Sequence, residues 1–287
     1  MTKKKVTKHV VGDVYFFLDE FLSQHKKENF KITGLEFSNL GAQGRRPLFD
    51  VSHSQKGTIM AYWKDICKNH IVISAPEPGY EIKAPKSLRC FFHGGASRNF
   101  KITHLDVTHL DVSNTTDFGS CFEEFGAQKG SEIIGLEAWN VSSGKIFDFM
   151  FGQAFPFNES INLNLSSWRF SEKEEISFYY MFHCFGKQAS KVILDVSDWN
   201  TTNVCLFSEI FQSFAPHEKI VELKGVEDWR LGTNLVSLDH AFDDFAKASS
   251  CRLDLSGWSA GCTQKPSMED FSKGVFFRIK EPTWENY

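Results

Sequence analysis

The sequence lacks any uninterrupted apolar run approaching the roughly eighteen residues that a membrane-spanning helix needs, so no membrane span is expected. It has only 8 Pro, no Cys-x-x-Cys pair and an odd number of cysteines, 7, which excludes collagen-like and disulfide-scaffold classes. Charge of one sign is scarce, with 32 Lys+Arg against 36 Asp+Glu and a net charge of −4. Residues 1–60 hold ten Lys/Arg and six Asp/Glu, so the rest carries −8 and has no basic footprint for direct nucleic-acid binding. Phosphate-loop, nucleophile-elbow, HExxH and dinucleotide-binding motifs are all missing. Cys67-x-x-His70 supplies two ligands where zinc needs three or four, and His104 and His109 have no recognisable catalytic partners. The reading is therefore no enzyme, no cofactor and no metal.

A secretory leader is also lacking. Lys3, Lys4, Lys5 and Lys8 precede an apolar stretch at 10–22, but Asp13, Asp19 and Glu20 interrupt it. Val10, Val14, Phe17, Leu18, Phe21 and Leu22 instead share one face of an amphipathic helix. A cytoplasmic location with reduced thiols is expected, with the cell surface by another export route as the alternative. Sequons at Asn114, Asn140, Asn158, Asn164 and Asn200 then carry no glycan. Cys90, Cys121 and Cys184, flanked by Phe, read as small buried hydrophobes.

What the chain has is aromatic mass: 29 Phe and 7 Trp in 287 residues. Five of the Trp are periodic: Trp139, Trp168, Trp199, Trp229 and Trp258 are spaced by 29, 31, 30 and 29. Leu110 extends the series one step back, giving about six 30-residue units between 103 and 265. Each unit opens with apolar–polar alternation, as in Leu105-Asp106-Val107, Leu163-Asn164-Leu165, Leu194-Asp195-Val196 and Leu253-Asp254-Leu255. Such alternation marks a strand with one buried face. An aromatic block follows, such as Phe118-x-x-x-Phe122-x-x-Phe125 or Phe207-x-x-x-Phe211-x-x-Phe214, whose spacing predicts a short helix. A strand and one helix cannot bury their apolar faces alone, so the expected fold is an α/β solenoid with a parallel strand ladder and short helices.

The string 194–204, Leu-Asp-Val-Ser-Asp-Trp-Asn-Thr-Thr-Asn-Val, followed by Phe207-Ser-Glu-Ile-Phe211, resembles the BspA-type leucine-rich repeat. That resemblance covers just over half the chain. It implies a leucine-rich-repeat-like solenoid and a binding function, since the family occurs in bacterial surface lipoproteins and in some protist and mobile-element proteins. The family's Met-Phe pair appears here only at Met150-Phe151 and Met181-Phe182.

The remaining chain divides into an N-terminal cap region at 1–70 with the amphipathic helix, a diverged capping repeat at 71–102, and a C-terminal seal and tail at 266–287. Ile71–Ile73 is expected as the capping repeat's strand, and Leu88-x-x-x-Phe92 as its aromatic block. Phe271, Val275, Phe276, Phe277 and Ile279 are expected to seal the last unit. The outward strand positions are Asp106, Thr108, Gly135, Glu137, Asn164, Ser166, Asp195, Ser197, Glu222, Asp254 and Ser256. Stacked, they form a polar, net acidic stripe. Either they satisfy neighbouring groups, or all but Gly135 form the recognition surface for another protein with a basic surface. Asp106, Asp195 and Asp254 would lie roughly 10–15 Å apart, too far for one cation. The leading functional expectation is a non-enzymatic protein-binding solenoid, such as a mobile-element or pathogen protein that blocks a host factor. A BspA-type surface adhesin and an acidic nucleic-acid mimic are the alternatives.

Overall fold

The computed structural model describes residues 9–95, 100–217, 220–275 and 277–284. The repeats wind into a parallel-strand β-solenoid of about seven turns. Strands Ser160–Asn164, Lys191–Asp195 and Ile220–Lys224 pair in parallel without stagger, aligning Ile161, Val192 and Val221, and Leu163, Leu194 and Leu223. Those residues point inward, and the residues between them are exposed or half-buried. Alternation in sequence thus becomes columns of like residues, one per coil.

The periodic Trp form such a column. Trp168, Trp199, Trp229 and Trp258 stack with centroids 6.1, 5.7 and 5.7 Å apart. Each indole N–H donates to a backbone carbonyl of the preceding coil: Trp139 to Val107, Trp168 to Leu136, Trp199 to Leu165, Trp229 to Val196 and Trp258 to Val226. The Trp therefore adds a polar tie to its apolar burial, which Leu110 cannot do. A second column runs Phe92, Phe122, Phe151, Phe182, Phe211, Phe242 and Phe271, with neighbouring centroids 5.3–5.6 Å apart.

The aromatic blocks are not helices. Within Phe118–Phe125, Cys121 N–H donates to Phe118 O and Phe125 N–H to Phe122 O, closing successive β-turns. Ser120 and Glu124, third in these turns, have φ of +53° and +56°, as type II turns require. The alternate N–H groups of Phe118, Ser120, Phe122 and Glu124 donate sideways to Ile146, Asp148, Met150 and Gly152 of the next coil. The backbone is satisfied between coils rather than four residues back along the chain, so a 4–3 spacing of rings arises without a helix. Among the described residues the one α-helix is Val14–Gln24.

The strand ladder is divided where a glycine replaces the usual strand residue. Gly135 and Gly225 have φ of +93° and +85°, and each leads into a 3-10 turn, Leu136–Ala138 or Val226–Asp228. A Cβ would lie 2.5 Å from Thr108 N at Gly135 and 2.3 Å from Ser197 Cα at Gly225. Glu132–Ile134 is the last strand of a six-stranded sheet, and Ser160–Asn164 begins another that ends at Ile220–Lys224. The Trp168 and Trp258 indoles bridge both steps, joined by Ser167 Oγ to Glu137 O and Asp254 N to Glu227 Oε1.

The N-terminal end differs from the expected order. Gly34–Ser38, not Ile71–Ile73, lies beside the strand His104–Asp106, and Leu35 pairs with both Leu105 and Ile71. The stretches 1–70 and 71–102 therefore interleave in one sheet. Met60–Trp63 pairs antiparallel with His70–Ser74 and Phe49–Asp50 with Met60–Ala61, covering the parallel edge with a turned-back strand. The aromatic block at 88–92 does stack on the first unit, Phe92 lying 5.5 Å from Phe122.

The helix is capped by Asp13, which accepts from Phe16 N, and it buries Val14, Tyr15, Leu18 and Leu22. Val10, expected on that face, lies in a short strand before the helix and is exposed, because the helix begins only at Val14. Lys3, Lys4, Lys5 and Lys8 lie outside the described residues. At the other end Phe271, Val275 and Ile279 are buried, Phe277 is exposed, and Phe276 lies outside the described residues. Phe277 follows the closing turn and meets Arg278 rather than the core. Cys121 is buried, but Cys90 is exposed and Cys184 half-buried, because both sit at outward-facing positive-φ positions of the turns.

Candidate interaction surface

The expected stripe on the strand face is largely occupied by its own turn chemistry. Asp106, Asn164, Asp195 and Asp254 each accept, through Oδ1, the N–H two residues on, at 2.9–3.0 Å from Thr108, Ser166, Ser197 and Ser256. The Ser166 and Ser256 hydroxyls donate to the same oxygens. These are Asx turns that let the chain leave the strand. The hydrogen bonds from Ser256 and the Lys280 ammonium, 2.9 Å away, hold the Asp254 carboxyl down at about 2. Glu222 lies 3.8 Å from Lys224, and Glu137 and Thr108 are exposed.

The register also brings basic residues into the stripe. Lys191 aligns with Ser160 and Ile220, and Lys224 with Asp195 and Asn164. Over strand segments 104–108, 132–137, 160–166, 191–197, 220–227, 252–256 and 278–280 there are seven Asp/Glu and five Lys/Arg. The strand face is net acidic by only two charges, because the residues beside those chosen by alternation carry compensating charge.

The acidic surface lies on the turn ribbons. Segments 117–124, 146–153, 177–184, 206–213, 237–244 and 267–274 hold ten Asp/Glu and one Lys. In these ribbons the residues between the inward Phe fall at equivalent places, Gly119, Asp148, Tyr179, Ser208, Asp239 and Glu269 in one column and Ser120, Phe149, Tyr180, Glu209, His240 and Asp270 in the next, and all but the small Gly119, Ser120 and Ser208 reach the surface. All six residues of the second column have φ between +50° and +58°.

In the middle of this face four half-buried rings meet. Phe149 stacks on Tyr180 at 4.5 Å, Tyr179 meets Tyr180 edge-on at 4.3 Å, and His183 lies 4.9 Å from Tyr180. Burial, with the hydrogen-bonded Glu209 and Tyr179 beside it, pushes the Tyr180 phenol well above its usual range. Burial likewise raises the Asp148 carboxyl, although the Ser177 hydroxyl donates to it. A cleft of about 230 Å³ lined by Glu124, Gln153, Cys184 and Lys187 adjoins the rings. Cys184 Sγ is 3.2 Å from His183 Nε2, but burial raises the thiol and lowers the imidazole, so the pair is neutral and not a thiolate–imidazolium nucleophile.

Alternation along strands could not reveal this patch. The available signal was the residues between the inward Phe, aromatic in Asp148-Phe149 and Tyr179-Tyr180 but polar or charged in the other coils.

The other candidates remain apart. His104 is exposed and 3.5 Å from Glu132, His109 lines an open cleft of about 520 Å³ with Tyr80 and Trp139, and His70 is 3.5 Å from Glu36 while Cys67 is exposed. Among the described residues no group of three or more His, Cys, Asp or Glu is arranged to hold a metal, and no helix is long and apolar enough to cross a membrane.

The family model described as "Mycoplasma protein of unknown function, DUF285" matches residues 87–222 and 162–258, together more than half of the chain. No curated protein and no solved structure matches it.

Proposed function

As the chain belongs to the DUF285 family, whose description names no activity, we propose from its geometry that it is a non-enzymatic protein-binding scaffold. One observation carries this reading. The coils repeat their interior almost unchanged, while the outward turn positions differ from coil to coil, from Asp148 to Tyr179 to Asp239. A solenoid with a constant core and a varied face supplies an extended surface for one partner. The partner is another protein with a basic surface.

The setting proposed is the cytoplasm, where the chain blocks the surface of a factor, as a mobile-element or pathogen protein would block one of its host. Among the described residues no two of the seven cysteines form a disulfide, which suits a reducing compartment. The resemblance to BspA-type repeats favours a second reading, a surface-displayed ligand-binding protein, and cell fractionation separates the two. The ten carboxylates of the turn face favour a variant of the first, in which the chain mimics nucleic acid. In that case DNA or RNA competes with the chain for its partner, and competition fails otherwise.

The reading is tested by crosslinking the full chain in lysate, then reconstituting each captured protein in purified form. A partner that binds saturably in reconstitution supports the scaffold. Captured proteins that all fail to bind once purified overturn it.

A further inference from the structure

We infer that the rings of Phe149, Tyr179, Tyr180 and His183 on the turn face dock an arginine-bearing basic segment of the partner; the inference rests on the protein-binding reading above. The rings are surplus to the core. Phe147, Phe151, Phe178 and Phe182 already fill the interior of the same two coils, whereas these four sit on the outer side of the ribbon. They form one contiguous half-exposed cluster, at a spot where neighbouring coils carry single polar groups. Clustered Tyr with an apolar face and a polar tip is what anchors protein interfaces.

The surroundings specify the charge of the occupant. Asp148 and Glu209 border the rings, Glu123 and Glu124 lie one coil before them, and Asp243 and Asp244 two coils after. Asp148 is hydrogen-bonded to Ser177 and Glu209 to Tyr180, neutral groups that fix a carboxylate without cancelling its charge. Asp244 and Asp270 have their own lysines, Lys247 and Lys273, and Arg89 acts on Asp148, whereas Glu209 is hydrogen-bonded to the neutral Tyr180 phenol and carries the negative charge at the rings.

Geometry then favours arginine over lysine. A planar guanidinium can lie on the Tyr180 or Phe149 ring and still present two N–H groups edgewise to a carboxylate, whereas an ammonium is a point charge with no stacking plane. The platform is also rigid. Phe149 N–H donates to Tyr179 O and Tyr180 N–H to Ser208 O, so the ring-bearing backbone is already ordered and little is lost on binding.

The test uses the full chain and two fluorescein-labelled probes, oligo-arginine and oligo-lysine, measured by anisotropy across a salt series. Oligo-arginine should bind more tightly than oligo-lysine. Tyr180→Ala should weaken arginine binding about tenfold. Tyr180→Phe should keep most of it, and Glu209→Gln should weaken it about threefold and flatten its salt dependence. The strand-face variant Glu222→Gln should stay within about twofold of the parent. Thermal melts check each fold; if Tyr180→Ala fails to fold, Tyr180→Phe and Glu209→Gln carry the test. Equal affinity for the two probes, or equal losses at Glu222→Gln and Glu209→Gln, overturns the site. A reconstituted partner that binds the Tyr180→Ala chain unchanged overturns this site and leaves the scaffold reading standing. Arginine binding that depends on Tyr180, in a chain that binds no protein, supports the site and overturns the scaffold.

Discussion

The strand face and the turn face run along the same coils, share the same parallel stacking, and yet carry different chemistry. On the strand face four strands are left through an Asx turn, in which Asp106, Asn164, Asp195 and Asp254 are each followed two residues on by Thr or Ser. The side chains are consumed by local hydrogen bonds. On the turn face alternate N–H groups donate to the next coil, while those of Gly119, Tyr179, Asp239 and Glu269 go to the side chains of Asp117, Ser177, Ser237 and Asp239, so it is the second outward column whose side chains the backbone does not use. One column therefore passes from Ser120 to Phe149, Tyr180, Glu209, His240 and Asp270 without disturbing the ribbon. A repeat protein is free to specialise where its backbone asks nothing of its side chains.

The largest effect should come from the interior that supports both faces. Trp199→Ala removes a ring stacked between Trp168 and Trp229 and leaves the Leu165 carbonyl without its indole donor. It should cost about 3–5 kcal/mol in urea unfolding, while Tyr180→Ala on the turn face costs about 1 kcal/mol. Equal costs would mean that the turn-face rings belong to the core, and the comparison would fail.

Next in size is Gly225→Ala. The new Cβ would meet Ser197 Cα at 2.3 Å, at a φ of +85° that L-residues disfavour. A cost of about 2–4 kcal/mol is expected, confined to the strand side of the coil. Alanine at the positive-φ turn position of Gly274 has only the Asp244 carboxylate to displace, and should cost less.

The strand face, the Trp column and the order of the coils were legible because alternation and a 30-residue period are properties of side-chain identity. The turn ribbons were not. Phe118, Phe122 and Phe125 fit a helical face as well as a row of turns, and what decides between them is hydrogen bonding to Ile146, Asp148 and Met150 in another coil. The insertion of Gly34–Ser38 beside His104–Asp106 was hidden for the same reason, being a pairing across 70 residues. The strand face is net acidic as expected, but by a smaller margin, because alternation picked out Asp195 but not Lys191 or Lys224 beside it. The turn-face cluster lay between the inward Phe, in residues to which a helical reading of the blocks assigned no role.

Asp254 and Asp148, one on each face, should also part in acid, although Asp239 and Asp270 on the turn face are lowered like Asp254. Asp254 on the strand face has its carboxyl lowered to about 2 by Ser256 and Lys280, so its contribution is present above the ordinary carboxylate range and is lost as pH falls through about 2. Asp148 on the turn face is raised by burial, so the folded state holds its proton more tightly and gains stability as pH falls through its titration. Carboxyl titration followed by NMR should show Asp148 titrating well before Asp254 as acid is added. The reverse order would break the contrast.

The smallest effect isolates the backbone of the turn face alone. Gln153 holds a φ of +56° with its side chain exposed. Glycine there relieves left-handed strain of about 1–2 kcal/mol but frees the unfolded chain by about 0.4–1 kcal/mol, so Gln153→Gly should stabilise by about 0.5–1 kcal/mol. Asn164→Gly on the strand face has no such strain to relieve and removes the acceptor for Ser166 N and Oγ. It should destabilise by about 1 kcal/mol. Opposite signs for the two glycine substitutions, at exposed positions eleven residues apart, would show that the strand face depends on its side chains and the turn face carries its side chains at a cost. A turn face that tolerates strain without structural return is the kind of surface that is kept for what it binds.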